Sequence, residues 1–348
     1  MTTRLVVGCM TGTSVDGVDA ALVEISGRGL SMTAELRQFA SCPLGELAAP
    51  LRALSGQQVM TAGEIASLSH EFEQLHVRLL RELSVERPVD LIVIHGQTVF
   101  HAPPVSWQLM SVAGLARELG APVVYDLRAA DLAAGGQGAP ITPLADYIFF
   151  QAAHETRTVL NLGGFCNYTH LPRGRRGAAA NIEVDLAAVR GGDICVCNQL
   201  LDALARRLLD EPFDRDGQHA LAGRVHAAAR EALLAILRAQ AAAGRSLGSG
   251  DEQVRWLEAW AADMDAEDLA RTACDVIAAT IAEKVGAADR LIVAGGGERN
   301  QALLNALAEH AQTRVSLSDE LGVPAQAREA AAMTVLGALC QDGVPITL

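Results

Sequence analysis

Lysine is almost missing from this chain of 348 residues: Lys284 is the only one. Its scarcity excludes a Gly-Lys-Ser/Thr phosphate loop, which needs an ammonium group beside the phosphates. Basic charge is short altogether, 28 Lys and Arg against 41 Asp and Glu, for a net charge of −13. Nucleic acid, bound through clustered Lys and Arg, is therefore not an expected partner. No apolar run reaches the roughly 18 residues that span a bilayer, and no secretory leader is visible, so no membrane is expected and the protein reads as soluble and cytoplasmic. Cysteine is present but unpatterned. The seven (Cys9, Cys42, Cys166, Cys195, Cys197, Cys274, Cys340) are odd in number and scattered, which reads as reduced thiols. Cys195-Val196-Cys197 is the close pair, and no second Cys/His pair nearby completes a zinc set.

At this length two domains are expected, each with its own core. Strand-like and helix-like stretches alternate, which predicts α/β architecture. Near the start, Gly12-Thr13-Ser14-Val15-Asp16-Gly17-Val18-Asp19 lies between two strand-like runs, residues 5–8 and 18–25. Gly12 and Gly17 let backbone N–H groups approach an anion, Thr13 and Ser14 can donate to its oxygens, and Asp16 or Asp19 can hold a magnesium-bound water. An ordinary hairpin with a polar tip is the plain alternative. A helix is predicted over 62–83, a buried strand over 89–94 leading to His95-Gly96-Gln97-Thr98, a helix over 113–119 and a strand over 122–125. Gly135-Gly136-Gln137-Gly138-Ala139-Pro140 is too glycine-rich for helix or strand and reads as the passage between domains.

The opening device then returns. Residues 156–160 and 166–171 read as strands around Asn161-Leu162-Gly163-Gly164, a structural echo of the first hairpin rather than a sequence repeat. Two such tips offered to one phosphate group would form a cleft. Helices are predicted over 199–209, 222–242 and 267–285; the strand 290–294 then runs through Gly295-Gly296-Gly297 into a helix over 300–310. A glycine run between strand and helix permits close backbone approach of a ligand, or simply makes a tight turn. The last helix, over 325–340, carries Glu329 in an Ala-rich stretch, where a solvated glutamate is the plain reading.

Together these turns match the layout of the sugar kinase, heat-shock chaperone and actin superfamily, and within it the chain resembles the anhydro-N-acetylmuramic acid kinases. The resemblance rests on the Gly12 to Asp19 turn, His95-Gly96-Gln97-Thr98-Val99, Asp126-Leu127-Arg128, Asp131 with Gly135 to Pro140, Asn161-Leu162-Gly163-Gly164, Phe213-Asp214-Arg215-Asp216-Gly217, and Gly295-Gly296-Gly297 with Arg299-Asn300. It implies a two-lobed actin-like, sugar-kinase-like α/β fold with a duplicated mixed-sheet domain and a central nucleotide cleft. One lobe would span residues 1–130 joined by 325–348, the other 131–324. The implied reaction uses ATP, Mg2+ and water on 1,6-anhydro-N-acetylmuramic acid from cell-wall recycling, opening the anhydro bridge and phosphorylating the freed 6-oxygen. A homodimer is implied as well.

The resemblance also implies roles. Residues Gly12, Thr13, Ser14, Val15, Asp16, Gly17, Val18 and Asp19 would hold the phosphates and, through Asp16 and a water, Mg2+; Gly163 and Gly164 would clamp them from the other half. Gly295, Gly296, Gly297 and Asn300 would face the nucleotide. Gln97, Thr98, Arg128, Asp131, Asn198 and Glu329 are sugar-side candidates, Arg128 suiting a carboxylate such as the lactyl group. Asp193 maps onto the general base, with a helix-capping or ion-paired aspartate as the alternative.

Three departures from the family pattern stand out. Asp193-Ile194-Cys195-Val196-Cys197-Asn198 replaces Asp-Thr-Gly-Pro-Gly-Asn, placing side chains in a turn expected to be bare. Leu247-Gly248-Ser249-Gly250 replaces Thr-Gly-Arg-Glu, and Met110-Ser111 replaces Gly-Asp. They motivate two rivals: a kinase of the same fold for another anhydrosugar such as levoglucosan, and a paralogue that binds nucleotide or sugar without turnover.

Overall fold

The computed structural model describes residues 3–12, 15–83, 87–174, 188–243 and 252–346. Its chain clusters into two compact units, one built from residues up to Phe149 together with those from Gly322 onward, the other from Phe150 to Leu321 with the segments between.

In the first unit, β1 (Thr3–Met10), β2 (Gly17–Ser26), β3 (Thr33–Pro43), β4 (Leu91–Ile94) and β7 (Val123–Tyr125) form a sheet in the order β3-β2-β1-β4-β7. β1 pairs antiparallel with β2 and parallel with β4. In the second unit, β8 (Arg157–Leu162), β9 (Phe165–Leu171), β10 (Arg190–Val196), β11 (Arg290–Ala294) and β12 (Arg314–Leu317) form a sheet in the order β10-β9-β8-β11-β12. Numbered within each unit, both orders read 3-2-1-4-5, with the first hairpin antiparallel and the later strands parallel. The duplicated mixed-sheet α/β fold expected from the sequence is therefore present. A two-stranded ribbon, β5 (Gln97–Ala102) with β6 (Val105–Leu109), is added to the first unit.

The central strands are apolar on both faces because helices cover both. Leu5, Val7, Ile92 and Ile94 join Phe72 and Leu79 of the helix Ala62–Glu82, which opens with a Thr61/Glu64 capping box. On the other face lies the final helix, Arg328–Gln341, almost wholly buried. Glycine lets it approach: a Cβ on Gly8 of β1 would lie 2.2 Å from the Ala330 carbonyl oxygen, and one on Gly337 would lie 2.2 Å from Val93. At its start the Arg328 guanidinium makes a fork of bonds of 3.1, 2.7 and 2.6 Å to the Asp146 carboxylate, both side chains buried. Residues 131–149, placed by the sequence in the second lobe, thus cluster with the first unit, tied by this pair to the final helix.

The second unit packs its sheet against the helix Ala266–Val285, through Leu269, Ala273 and Ile277. The helix predicted over 222–242 is two, Gln218–Ala222 and Ala227–Ala243. It breaks at Gly223, where a Cβ would lie 2.0 Å from the Glu267 carbonyl oxygen. No helix among the described residues is long and apolar enough to cross a membrane.

Candidate active site

In the first unit the turn between β1 and β2 carries strain. Thr13 and Ser14 lie outside the described residues, but Val15, β-branched and buried, has φ 52°, a left-handed conformation such residues rarely adopt. It is held from both sides: its N–H donates to the Gly12 carbonyl at 3.3 Å, and Arg52 Nη2 donates to its own carbonyl at 2.7 Å. Asp16 is exposed, and Asp19 sits between Met10 and Ser41 in the sheet. Burial raises the Asp19 carboxyl above its ordinary range, with the Ser41 hydrogen bond opposing and the Asp16 charge adding.

At the end of β4, His95 is 2% exposed. Its Nδ1 lies 2.9 Å from the Gly96 carbonyl and therefore carries the proton, leaving Nε2 to accept from Arg128 Nε at 3.2 Å. Burial and the adjacent guanidinium hold the imidazole neutral, its pKa pulled to about 4. Arg128 also donates through Nη1 to the Gly138 carbonyl at 2.5 Å, while the Gly138 N–H donates to Asp131 Oδ2 at 2.6 Å. A Cβ on Gly136 would lie 2.3 Å from the Asp131 carboxylate. The glycine-rich stretch from Gly135 to Pro140 is thus a pinned loop inside the first unit, a correction to its reading as a passage between domains. Asp131 spends its carboxylate on that loop.

Glu329 is half-buried rather than solvated. Burial raises its carboxyl, Arg328 opposing most strongly, with Asp19 and Asp146 pushing up and Arg128 down. Gln97, 1% exposed, donates to the Thr98 carbonyl at 3.2 Å, and its Oε1 has no partner among the described residues. Thr98 Oγ1 accepts from Gln108 at 3.4 Å. The sugar-side candidates Arg128 and Glu329 therefore influence each other, and Asp19 of β2 acts on Glu329.

In the second unit the glycine turns interlock. Cys197 and Gln199 N–H groups donate to the Gly164 carbonyl at 2.8 and 3.1 Å, and the Asn198 N–H donates to Gly163 at 3.0 Å. Asn198 Nδ2 donates to the Leu162 carbonyl at 2.8 Å, and its Oδ1 lies 3.0 Å from where a Gly297 Cβ would stand. Asn198, carried over as sugar-side, is thus wedged between the two turns assigned to ATP. Gly295 has φ 85°, and a Cβ there would come within 2.7 Å of Asn161 Oδ1. Asn300 caps the following helix, accepting from Leu303 N–H at 3.0 Å, so its side chain is committed to the fold.

The segment beginning at Asp193 is not the bare turn expected from the family pattern. Residues 193–196 belong to β10, and Cys197 precedes the helix Asn198–Leu204. In an unbroken strand Asp193 and Cys195 would share a face. A register shift between them places Asp193 opposite Asn167, but Cys195 opposite Cys166. The thiols of Cys195 and Cys197 accordingly enter the core with Cys166 and Cys274, where burial pushes Cys195 up to about 12. Asp193 takes the other face, in a row with Asn167 and Asn161 that reaches Ala294, just before Gly295. No group of three or more Cys, His, Asp or Glu among the described residues could hold a metal ion.

Asn161 and Asn167 were not singled out by sequence as site residues. The signal was there in the Asn-Leu-Gly-Gly-Phe-Cys-Asn spacing, since pairing Leu162 with Cys166 sets the two amides opposite each other. A family model described as anhydro-N-acetylmuramic acid kinase matches residues 4–348. The chain belongs to this family. Its relatives include the anhydro-N-acetylmuramic acid kinase of Salinibacter ruber, 36% identical over 99% of this chain and 92% of the relative. That of Bordetella parapertussis is also 36% identical, with the same coverage of 99% and 92%. Among solved structures, a ROK family glucokinase from Streptomyces griseus in complex with glucose and AMPPNP aligns at TM-score 0.43 and 16% identity, over 95% of this chain and 98% of that one. The family match spans both units and runs through all the glycine turns described above.

Proposed function

We propose that this chain is an ATP-dependent kinase that opens 1,6-anhydro-N-acetylmuramic acid with water and phosphorylates the freed 6-oxygen, giving N-acetylmuramic acid 6-phosphate. Asp193 takes a proton from water; the water oxygen bonds to the anomeric carbon as the bridging bond to the 6-oxygen breaks. That oxygen takes the γ-phosphoryl group and ADP leaves. The observation that supports the reading is the face switch in β10, which sets Asp193 on the side away from the buried thiols, in the polar row leading to the glycine turns. Backbone N–H groups at Gly163, Gly164 and Gly295 to Gly297, with the turn Gly12 to Asp19, are assigned to ATP. Gln97, Thr98, Arg128 and Glu329 are assigned to the sugar.

Since no group of three or more acidic side chains among the described residues could hold a metal ion directly, Mg2+ would be met in the first unit through water. Asp16 and Glu329 already repel Asp19, or are repelled by it, and a divalent cation relieves such crowding. We assign Asp16, through a water, as its protein contact; when bound, the ion would neutralise phosphate charge. The substitutions Cys195 and Cys197 point into the core, so they give no reason to prefer another anhydrosugar. The Leu247 to Gly250 departure lies outside the described residues. A cytoplasmic location and a homodimer complete the proposal, on family resemblance, and light scattering of the purified protein tests the latter.

A coupled ADP-release assay with 1,6-anhydro-N-acetylmuramic acid and levoglucosan tests the function. Mass spectrometry should find N-acetylmuramic acid 6-phosphate from the first sugar. ADP release with levoglucosan alone would replace this reading.

A further inference from the structure

The sugar-side arginine is oriented by a histidine that the reaction itself does not use. Of the five N–H groups on Arg128, one donates to His95 Nε2 at 3.2 Å and one to the Gly138 carbonyl at 2.5 Å; the other three have no partner among the described residues. The histidine is equally constrained. Its Nδ1 proton is spent on Gly96, whose φ of 76° and close approach to the Leu109 carbonyl fix that oxygen's place. A neutral imidazole in this tautomer presents one lone pair to one guanidinium N–H and adds no positive charge beside it. Glu329 acts on Arg128 through its charge, while burial raises the Glu329 carboxyl.

We propose that His95 is a positioning residue that holds Arg128 ready for the carboxylate of the substrate, and that this pair makes the enzyme selective for acid-bearing over neutral anhydrosugars. The inference rests on the proposed function and names the group of the substrate that the site reads. Arginine suits the task because its planar fork can meet a carboxylate with two parallel bonds, but only when its rotation is fixed.

The test compares 1,6-anhydro-N-acetylmuramic acid with its lactyl methyl ester, larger by one methyl group and uncharged, in the coupled ADP-release assay. The wild-type protein should prefer the acid by roughly 10- to 100-fold in kcat/KM, the scale of a charge-assisted hydrogen bond. His95→Leu should lose most of that preference through KM for the acid, with KM for ATP little changed. His95→Gln, which restores an acceptor for Arg128 Nε, should recover it. Wild-type turnover of acid and ester with equal efficiency would overturn this inference and leave the proposed function standing. So would a His95→Leu protein that binds ATP and keeps the wild-type acid preference. Turnover of levoglucosan but of neither muramic compound would overturn both.

Discussion

The two units share one strand order but differ in what they place at their first hairpin and the strands beside it. The first gathers charge: Asp16 acts on Asp19, Asp19 acts on Glu329, and Arg128 is steered by His95. The second gathers amides, Asn161, Asn167 and Asn198, around short glycine turns, with Asp193 the carboxylate in their row. Their interiors differ too. A buried ion pair, Arg328 with Asp146, anchors the final helix of the first unit, whereas the second buries thiols among leucine and alanine. A duplicated sheet thus fixes where polar groups can stand, and the residue types at those places differ: charged side chains in the first unit, amides and bare backbone in the second.

Four substitutions would break or sharpen that contrast. Asp193→Asn removes the base and should lower turnover by about two to four orders of magnitude while ATP binding, read by calorimetry, persists. Turnover near the wild-type rate would strip the second unit of its assigned role. Arg328→Met removes the buried guanidinium that forks onto the Asp146 carboxylate, so urea unfolding should show a loss of about 3–5 kcal/mol. A neutral result would mean that the first unit does not depend on its ion pair.

Cys197→Gly restores the residue type of the family pattern. Because this thiol is buried in the core, stability should fall by about 2–3 kcal/mol with sugar KM unchanged. An altered sugar KM at unchanged stability would return the segment to the site.

The smallest effect is a pH dependence in the second unit. Burial, and then the Asp319 charge, pushes the Glu298 carboxyl from 4.5 up to about 7, with Arg299 opposing. The folded protein therefore holds this proton more tightly than the unfolded chain, and stability declines as pH rises from 4.5 through about 7. Glu298→Gln should melt higher than wild type at pH values above that window, with the gain fading below it. A gain that is the same on both sides of the window would contradict this account.

Much of this was legible before the fold was known, for definite reasons. The first hairpin, the Asn161 to Gly164 turn and the strand-glycine-helix passage at Gly295 announce themselves because glycine and hydroxyl residues interrupt apolar runs. Asn300 sits where a helix cap belongs. The edge strand Thr33–Pro43 was missed because it is mostly half-exposed and lacks an apolar run. The direction of Cys195 was unreadable, since no residue type in Asp193-Ile194-Cys195 demands a bulge, and one extra residue reverses which side chains meet the core. The pairing of His95 with Arg128 joins residues 33 apart through a loop that only tertiary structure closes.

The most direct measurement runs the reaction in heavy-oxygen water and weighs the sugar phosphate at early times. Water activated by Asp193 should leave one heavy oxygen on the sugar and none in the phosphoryl group, and Asp193→Asn should form this product about two to four orders of magnitude more slowly. Label in the phosphoryl group, or an unlabelled product, would mean that water does not open the anhydro bridge and would contradict the account.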